Sequence, residues 1–150
     1  MEKTNELNKF LSYIHMGMSV YRIYHDEAEK INDQELINLI VDIEEIFKRH
    51  EEKITRLIND LGEEATNSLT AAGVMGVYKE KLKVFDDSFD ICHSALKSTN
   101  MGLLSAIKFF NENQDLPHIT LTKIVDVIKD YDKIQGMWLK YLLRNIDSNL

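Results

Sequence analysis

His50 sits in the stretch Glu44–Glu52, E-E-I-F-K-R-H-E-E, and a histidine among so many carboxylates invites a metal. A carboxylate-bridged pair of iron or manganese ions held between helices uses a Glu on each of two helices and Glu-x-x-His on two others. Hard carboxylates bridge and neutralise the two cations, and the imidazoles complete each coordination sphere. Three residues before His50, where that glutamate belongs, stands Phe47. Glu44 and Glu51 fall one position off the helix face that carries Phe47 and His50. Asp90-x-x-His93 has the right spacing, but Phe89 and Cys92 are expected inward, which turns Asp90 out and His93 to a flank. Asp126, Asp130 and Asp132 follow with no histidine among them. The di-metal motif is broken, so the expectation for His50 is a hydrogen-bonded core histidine. The alternative is a degenerate iron or manganese site held by His50 with His15 or Tyr131.

The remaining reactive side chains read more simply. Cys92 is the one cysteine, which excludes an intrachain disulfide and a thiolate cluster. Among apolar neighbours it is expected to be an inert core thiol. His25, beside Asp26 and Glu27, reads as a half-buried histidine near a helix end. No Gly-rich phosphate loop, nucleophile elbow or Ser-His-Asp arrangement occurs, so no catalytic residue and no bound cofactor is expected.

What positions these residues is helix. Leu7, Leu11, Ile14, Met18, Tyr21, His25 and Ala28 recur in alternating steps of four and three, one face of an α-helix, with Phe10, Gly17, Tyr24 and Ile31 on its flank. A second stripe runs Leu36, Ile40, Ile43, Phe47, His50, Ile54, Leu57, Leu61. Its expected start is Asn32 with Glu35 as a capping box, and its expected stop is Gly62 in a left-handed conformation. A small-residue-rich segment follows and reads as a crossover carrying a short helix. The third stripe is Leu82, Phe85, Phe89, Cys92, Leu96, Thr99, Leu103, Ala106, Phe110. Pro117 separates it from the fourth, Leu121, Ile124, Ile128, Tyr131, Gln135, Trp138, Leu142. Strand-like alternation is absent. The fold class is all-α, a ferritin-like four-helix bundle with one long crossover connection between helices 2 and 3. Aligning the helices at about 1.5 Å per residue places His50 in one layer with His15, Thr99, Tyr131 and Gln135. His50, Thr99, Tyr131 and Gln135 are the expected polar core cluster, and a cavity is expected near Gly17 or Gly102 if that centre serves as a pocket.

A chain of 150 residues fits one domain, 1–150. Its net charge of −7 repels phosphate backbones and anionic membranes, so neither nucleic acid nor membrane is an expected partner. No apolar run reaches the roughly 18 residues of a membrane span, and the polar start carries no signal-peptide core, which points to the cytoplasm.

The order I-N-D-Q-E-L-I-N-L-I, F-K-R-H-E-E-K-I, L-I-N-D-L-G-E-E and a small-residue crossover ending Y-K-E-K-L-K resembles the uncharacterised YciF-like ferritin-like bundles over nearly the whole chain. That resemblance implies a ferritin-like fold and a stress-linked or unknown role, with Arg49 and His50 as the matching positions. The chain departs from it in C-H-S-A-L-K-S and in K-D-Y-D-K-I-Q-G-M-W, where the family carries an acidic stretch and a histidine. The expected function is non-enzymatic: a cytosolic bundle acting by self-association, as a dimer through helix faces, or through a protein partner, in a stress or sporulation setting. Flank residues Ile37, Ile58, Ile91, Leu104, Ile107 and Leu139 are the expected dimer face.

Overall fold

The computed structural model describes residues 2–147, with side chains from 5 to 146. It contains α1 (Glu2–Ile31), α2 (Gln34–Asp60), α3 (Ala71–Lys81), α4 (Ser88–Glu112) and α5 (His118–Asp147). No strand occurs among the described residues. The four long helices form the bundle, and α3 is the short helix of the crossover.

Side-chain bonds between helix ends define the topology. Asn32 closes α1 in the left-handed region at φ 62°, its N–H bonded to the carbonyls of Ala28 and Glu29. The turn therefore spends Asn32 on stopping α1, and Asp33, not Asn32, caps α2 by accepting from the Leu36 N–H at 3.1 Å. Asp33 also accepts from Ser88 Oγ at 2.7 Å and from the Tyr141 hydroxyl at 2.8 Å. One carboxylate thus ties the starts of α2 and α4 to the last turns of α5, and α2 and α4 run parallel. Burial raises the Asp33 pKa, but the bonds from Ser88, the Leu36 N–H and Tyr141 outweigh it and leave the carboxyl below its usual value. Gly62 ends α2 at φ 79°, as expected. The N–H groups of Gly62 and Glu63 bond to the carbonyls of Asn59 and Ile58, the paired pattern that satisfies a helix end.

The crossover lies along α1. Asn8 accepts from the Thr66 N–H and donates to the Glu64 carbonyl. Ser12 donates to the Ser68 carbonyl, and Tyr24 donates to Glu80 at 2.8 Å. The segment follows α1 from Asn8 to Tyr24 and returns the chain to the end of the bundle where α2 began.

The first and second stripes pack largely as expected, with Leu7, Leu11, Ile14, Tyr21, Ala28, Leu36, Ile40, Ile43, Phe47, His50 and Ile54 all buried; Leu61, expected as the last inward residue of the second, instead caps α2 in solvent. The third stripe is corrected. Leu82 ends α3 in solvent, and α4 starts only at Ser88, where Asp87 accepts from the Asp90 N–H. Phe89 is exposed and stacks on His93 at 6.0 Å. The face that packs carries Ile91, Cys92, Ala95, Thr99, Ala106 and Phe109. On α5 the row Val127, Ile134, Tyr141 joins Ile124, Tyr131 and Trp138 inside. Ile58 and Ile91, expected on a dimer face, are core residues, and Ile37 packs against the core. Leu104, Ile107 and Leu139 remain exposed.

Candidate functional site

The centre of the bundle is aromatic. Phe47 takes the inward position three residues before His50 and packs edge-on against Tyr131 at 5.7 Å and at a tilt against Tyr21 at 5.1 Å. Tyr21 accepts a hydrogen bond from Trp138 Nε1 at 2.8 Å and shares one of 2.5 Å with the Thr99 hydroxyl. Burial pushes the phenols of Tyr21 and Tyr131 far up, so both are neutral. Burial likewise pushes the Cys92 thiol up to about 11, as an unreactive core cysteine requires.

The candidate residues are divided among different partners. His50 is buried, and its Nε2 lies 2.8 Å from Asp130 Oδ2, the residue beside Tyr131 on α5. A carboxylate only accepts, so Nε2 carries the proton and donates, which leaves Nδ1 as an acceptor. Nδ1 has no partner, and neither does the buried Oε1 of Gln135. Desolvation pulls the His50 pKa down, and the hydrogen bond and charge of Asp130 only partly restore it. Thr99 is bound to Tyr21, so the expected cluster of His50, Thr99, Tyr131 and Gln135 resolves into a His50–Asp130 pair and a Tyr21–Thr99–Trp138 network. Stripe positions alone hid both, because Asp130 stands one position off the stripe of α5, and pairing Tyr21 with Thr99 needs the register of α1 against α4. His15 faces Glu51 Oε2 at 3.0 Å and the Thr66 carbonyl at 2.9 Å, which pins the crossover to α1. His25 lies between Glu44 at 2.5 Å and Glu29 at 2.8 Å. Desolvation lowers its pKa, but the two carboxylates outweigh that and raise it.

These donor sets do not fit a di-metal centre. The inward residue beside His50 is a phenyl ring, its Nε2 is occupied by Asp130, and His15 is engaged by Glu51 and a backbone carbonyl. Among the described residues, no group of three His, Cys, Asp or Glu side chains is arranged so that it could hold a metal ion.

A cavity of about 750 Å³ opens between α1, α3 and α4, where room near Gly17 or Gly102 was expected, and both glycines line it. A Cβ at Gly17 would stand 3.0 Å from the Phe47 ring, and one at Gly102 would stand 2.9 Å from Tyr131 Cε1. Phe47 and Tyr131 form part of the cavity wall, and the methionines at 16, 75 and 101 line it too.

Four long antiparallel and parallel helices with a crossover between the second and third define a ferritin-like bundle. Among solved structures, the chain is similar to a mutant of Mycobacterium smegmatis Dps1, with a TM-score of 0.75 and 14% identity over 93% of each chain. At that identity the likeness is one of fold. No family model matches the chain, and no curated protein matches it. Among the described residues, no helix is long and apolar enough to cross a membrane.

Proposed function

We propose that residues 1–150 act as one ferritin-like domain without catalysis, a cytoplasmic homodimer that assembles through helix faces and engages neither nucleic acid nor membrane. The observation that supports this is the outer face of α5. Gly136, Leu139, Leu143 and Ile146 follow one another at steps of three, four and three, the spacing of a helix–helix seam. Leu139, Leu143 and Ile146 are 51%, 48% and 43% exposed, and nothing lies within 4 Å of a Cβ built at Gly136. The line is about 15 Å long at helical rise. A two-fold axis beside it would lay one α5 against another, each covering the same side chains on its partner. A stress or sporulation setting goes with this reading, supported by the motif order shared with YciF-like bundles.

Sedimentation velocity over a concentration series tests it. The wild-type chain is expected at twice its monomer mass, and Leu139→Glu/Leu143→Glu at the monomer mass with an unchanged helical circular dichroism spectrum. A wild-type chain that stays monomeric throughout the series overturns the proposal.

A further inference from the structure

The cavity between α1, α3 and α4 shares no lining residue with the α5 face. Its volume of about 750 Å³ falls within the roughly 300–1,000 Å³ of small-molecule pockets. Glycines set how closely its walls approach. Gly17 lets α1 pass close to Phe47, and Gly102 lets α4 pass close to Tyr131. Gly73 and Gly76 let α3 lie close against Met16, so that α3 roofs the cavity. Val20 and Met16 give the interior aliphatic and thioether surface, and the exposed Met75 and Met101 stand at its rim, with thioether side chains that adapt to a flexible guest. Several of the hydroxyls that line it are already engaged: Thr70 accepts from the Gly73 N–H, Ser98 is bound to Tyr24 and Thr99 to Tyr21. Tyr131 is buried in the wall, and its hydroxyl, like those of the less buried Ser105 and Tyr13, has no hydrogen-bond partner among the described residues.

The mouth has the opposite character. Lys79, Lys83 and Lys97 line it, with Glu80 as the acidic residue among the lining groups. Glu80 is neutralised in place by Lys83 at 2.5 Å and by the Tyr24 hydroxyl at 2.8 Å. Lys79 and Lys97 have no carboxylate partner among the described residues. In a chain of net charge −7, a mouth with two free ammonium groups is a local reversal of sign.

We propose that this cavity binds a long-chain carboxylate, its alkyl chain between α1 and α4 beneath α3 and its head group at Lys79 and Lys97. A single negative charge matches two exposed lysines. A phosphate-rich or polar guest would leave its hydrogen-bonding groups unpaired inside.

Titration of the purified 150-residue chain with hexadecanoate, below its micelle concentration and read by calorimetry, tests the assignment. Hexadecanol serves as the uncharged control. Saturable binding of one equivalent of hexadecanoate is expected. Lys79→Glu/Lys97→Glu, both exposed and free to fold, is expected to weaken it about tenfold, as two reversed surface charges should. Ser105→Phe, which narrows the cavity from α4, is expected to abolish binding while the thermal transition is retained. No saturable binding, equal affinity for hexadecanol, or affinity unchanged in both variants would each overturn the proposal. So would loss of dimerisation in Ser105→Phe without fatty-acid binding by the wild type, because a second copy of the chain would then be the occupant.

Discussion

Replacing His50 and Asp130 singly and together measures what the centre of the bundle is for. The His50 Nε2–H donates to a carboxylate at 2.8 Å, a charge-assisted bond that contributes about 1.5–3 kcal/mol when fully buried. The Asp130 side chain is 34% exposed, so solvent screening reduces that to about 1 kcal/mol. Asp130→Ala strands the buried donor and should destabilise by about 1–2 kcal/mol, the low part of the range because water reaches that side. His50→Ala should cost about 2–3 kcal/mol, chiefly through the void left against Phe47 and Tyr131. His50→Phe loses the same bond but also removes the unpartnered Nδ1, and those two terms nearly cancel; it should lie within about 1 kcal/mol of wild type. The double mutant should show a coupling of about 1 kcal/mol. Urea unfolding followed by circular dichroism supplies all of these values. The pH dependence adds a sign. The His50 pKa is lowered in the fold, so as pH falls below about 6.5 the unfolded chain takes up the proton first and stability drops. His50→Phe should flatten that acid-side slope. His25 works the other way: its raised pKa contributes stability below about 6.5 that is lost as pH rises through the folded value, and His25→Gln should remove it. Additive His50 and Asp130 effects, or a His50→Phe protein that loses more than about 3 kcal/mol, would refute the structural role assigned to the pair.

Asp33→Ala removes a helix cap and two side-chain bonds that join α2, α4 and α5, and should lower stability by about 2–4 kcal/mol in the same unfolding assay, with Asp33→Asn retaining part of it. Gly102→Ala gains about 1 kcal/mol of helix propensity but drives a methyl against Tyr131, so a net loss of about 1–2 kcal/mol is expected, relieved when Tyr131→Leu is added. Protein purified from iron- and manganese-supplemented cells should carry well under one equivalent of either metal by elemental mass spectrometry. A stoichiometric metal lost in His50→Ala would show that the broken motif still binds.

Helices were legible wherever one apolar face repeats without interruption. In α2 the run Leu36 to Ile54 has a back that is polar but for Val41, and a glycine stands where the left-handed stop is needed. The start of α4 was not legible because Leu82 and Phe85 continue the spacing while lying in the connection, and only the Asp87 cap marks the true boundary. Phe89 then reads as core by type, although its position in the first turn puts it outside. In the site, the burial of His50, Thr99 and Tyr131 follows from their stripes. Their partners do not. Asp130 lies one step off the inward Tyr131, and a short carboxylate there reaches a histidine on the adjacent helix only because α2 and α5 meet in that register. Helical periodicity reports a face, and hydrogen bonding between faces depends on rotations of a few tens of degrees that no single stripe encodes.

The aromatic centre also borders the cavity. Inward carboxylates in a bundle of this fold would be drawn together by a cation between them, and the helices would close on it. Here Phe47, Tyr21, Tyr131 and Trp138 fill the middle as rings. Rings of that size fit only where a facing helix gives up its side chain, as α1 does at Gly17 and α4 at Gly102. Those bare turns sit on the side of α1 and α4 that faces the crossover, and α3 spans the space with a helix of small residues, touching α1 closely and reaching α4 through the Glu80–Tyr24–Ser98 bonds. Beneath α3 a cavity of about 750 Å³ remains, walled by Phe47 and Tyr131. Filling it with side chains from α3 should stabilise the bundle and eliminate the binding site together. Filling the α5 face should do neither, and that difference separates the two proposed surfaces in a single set of variants.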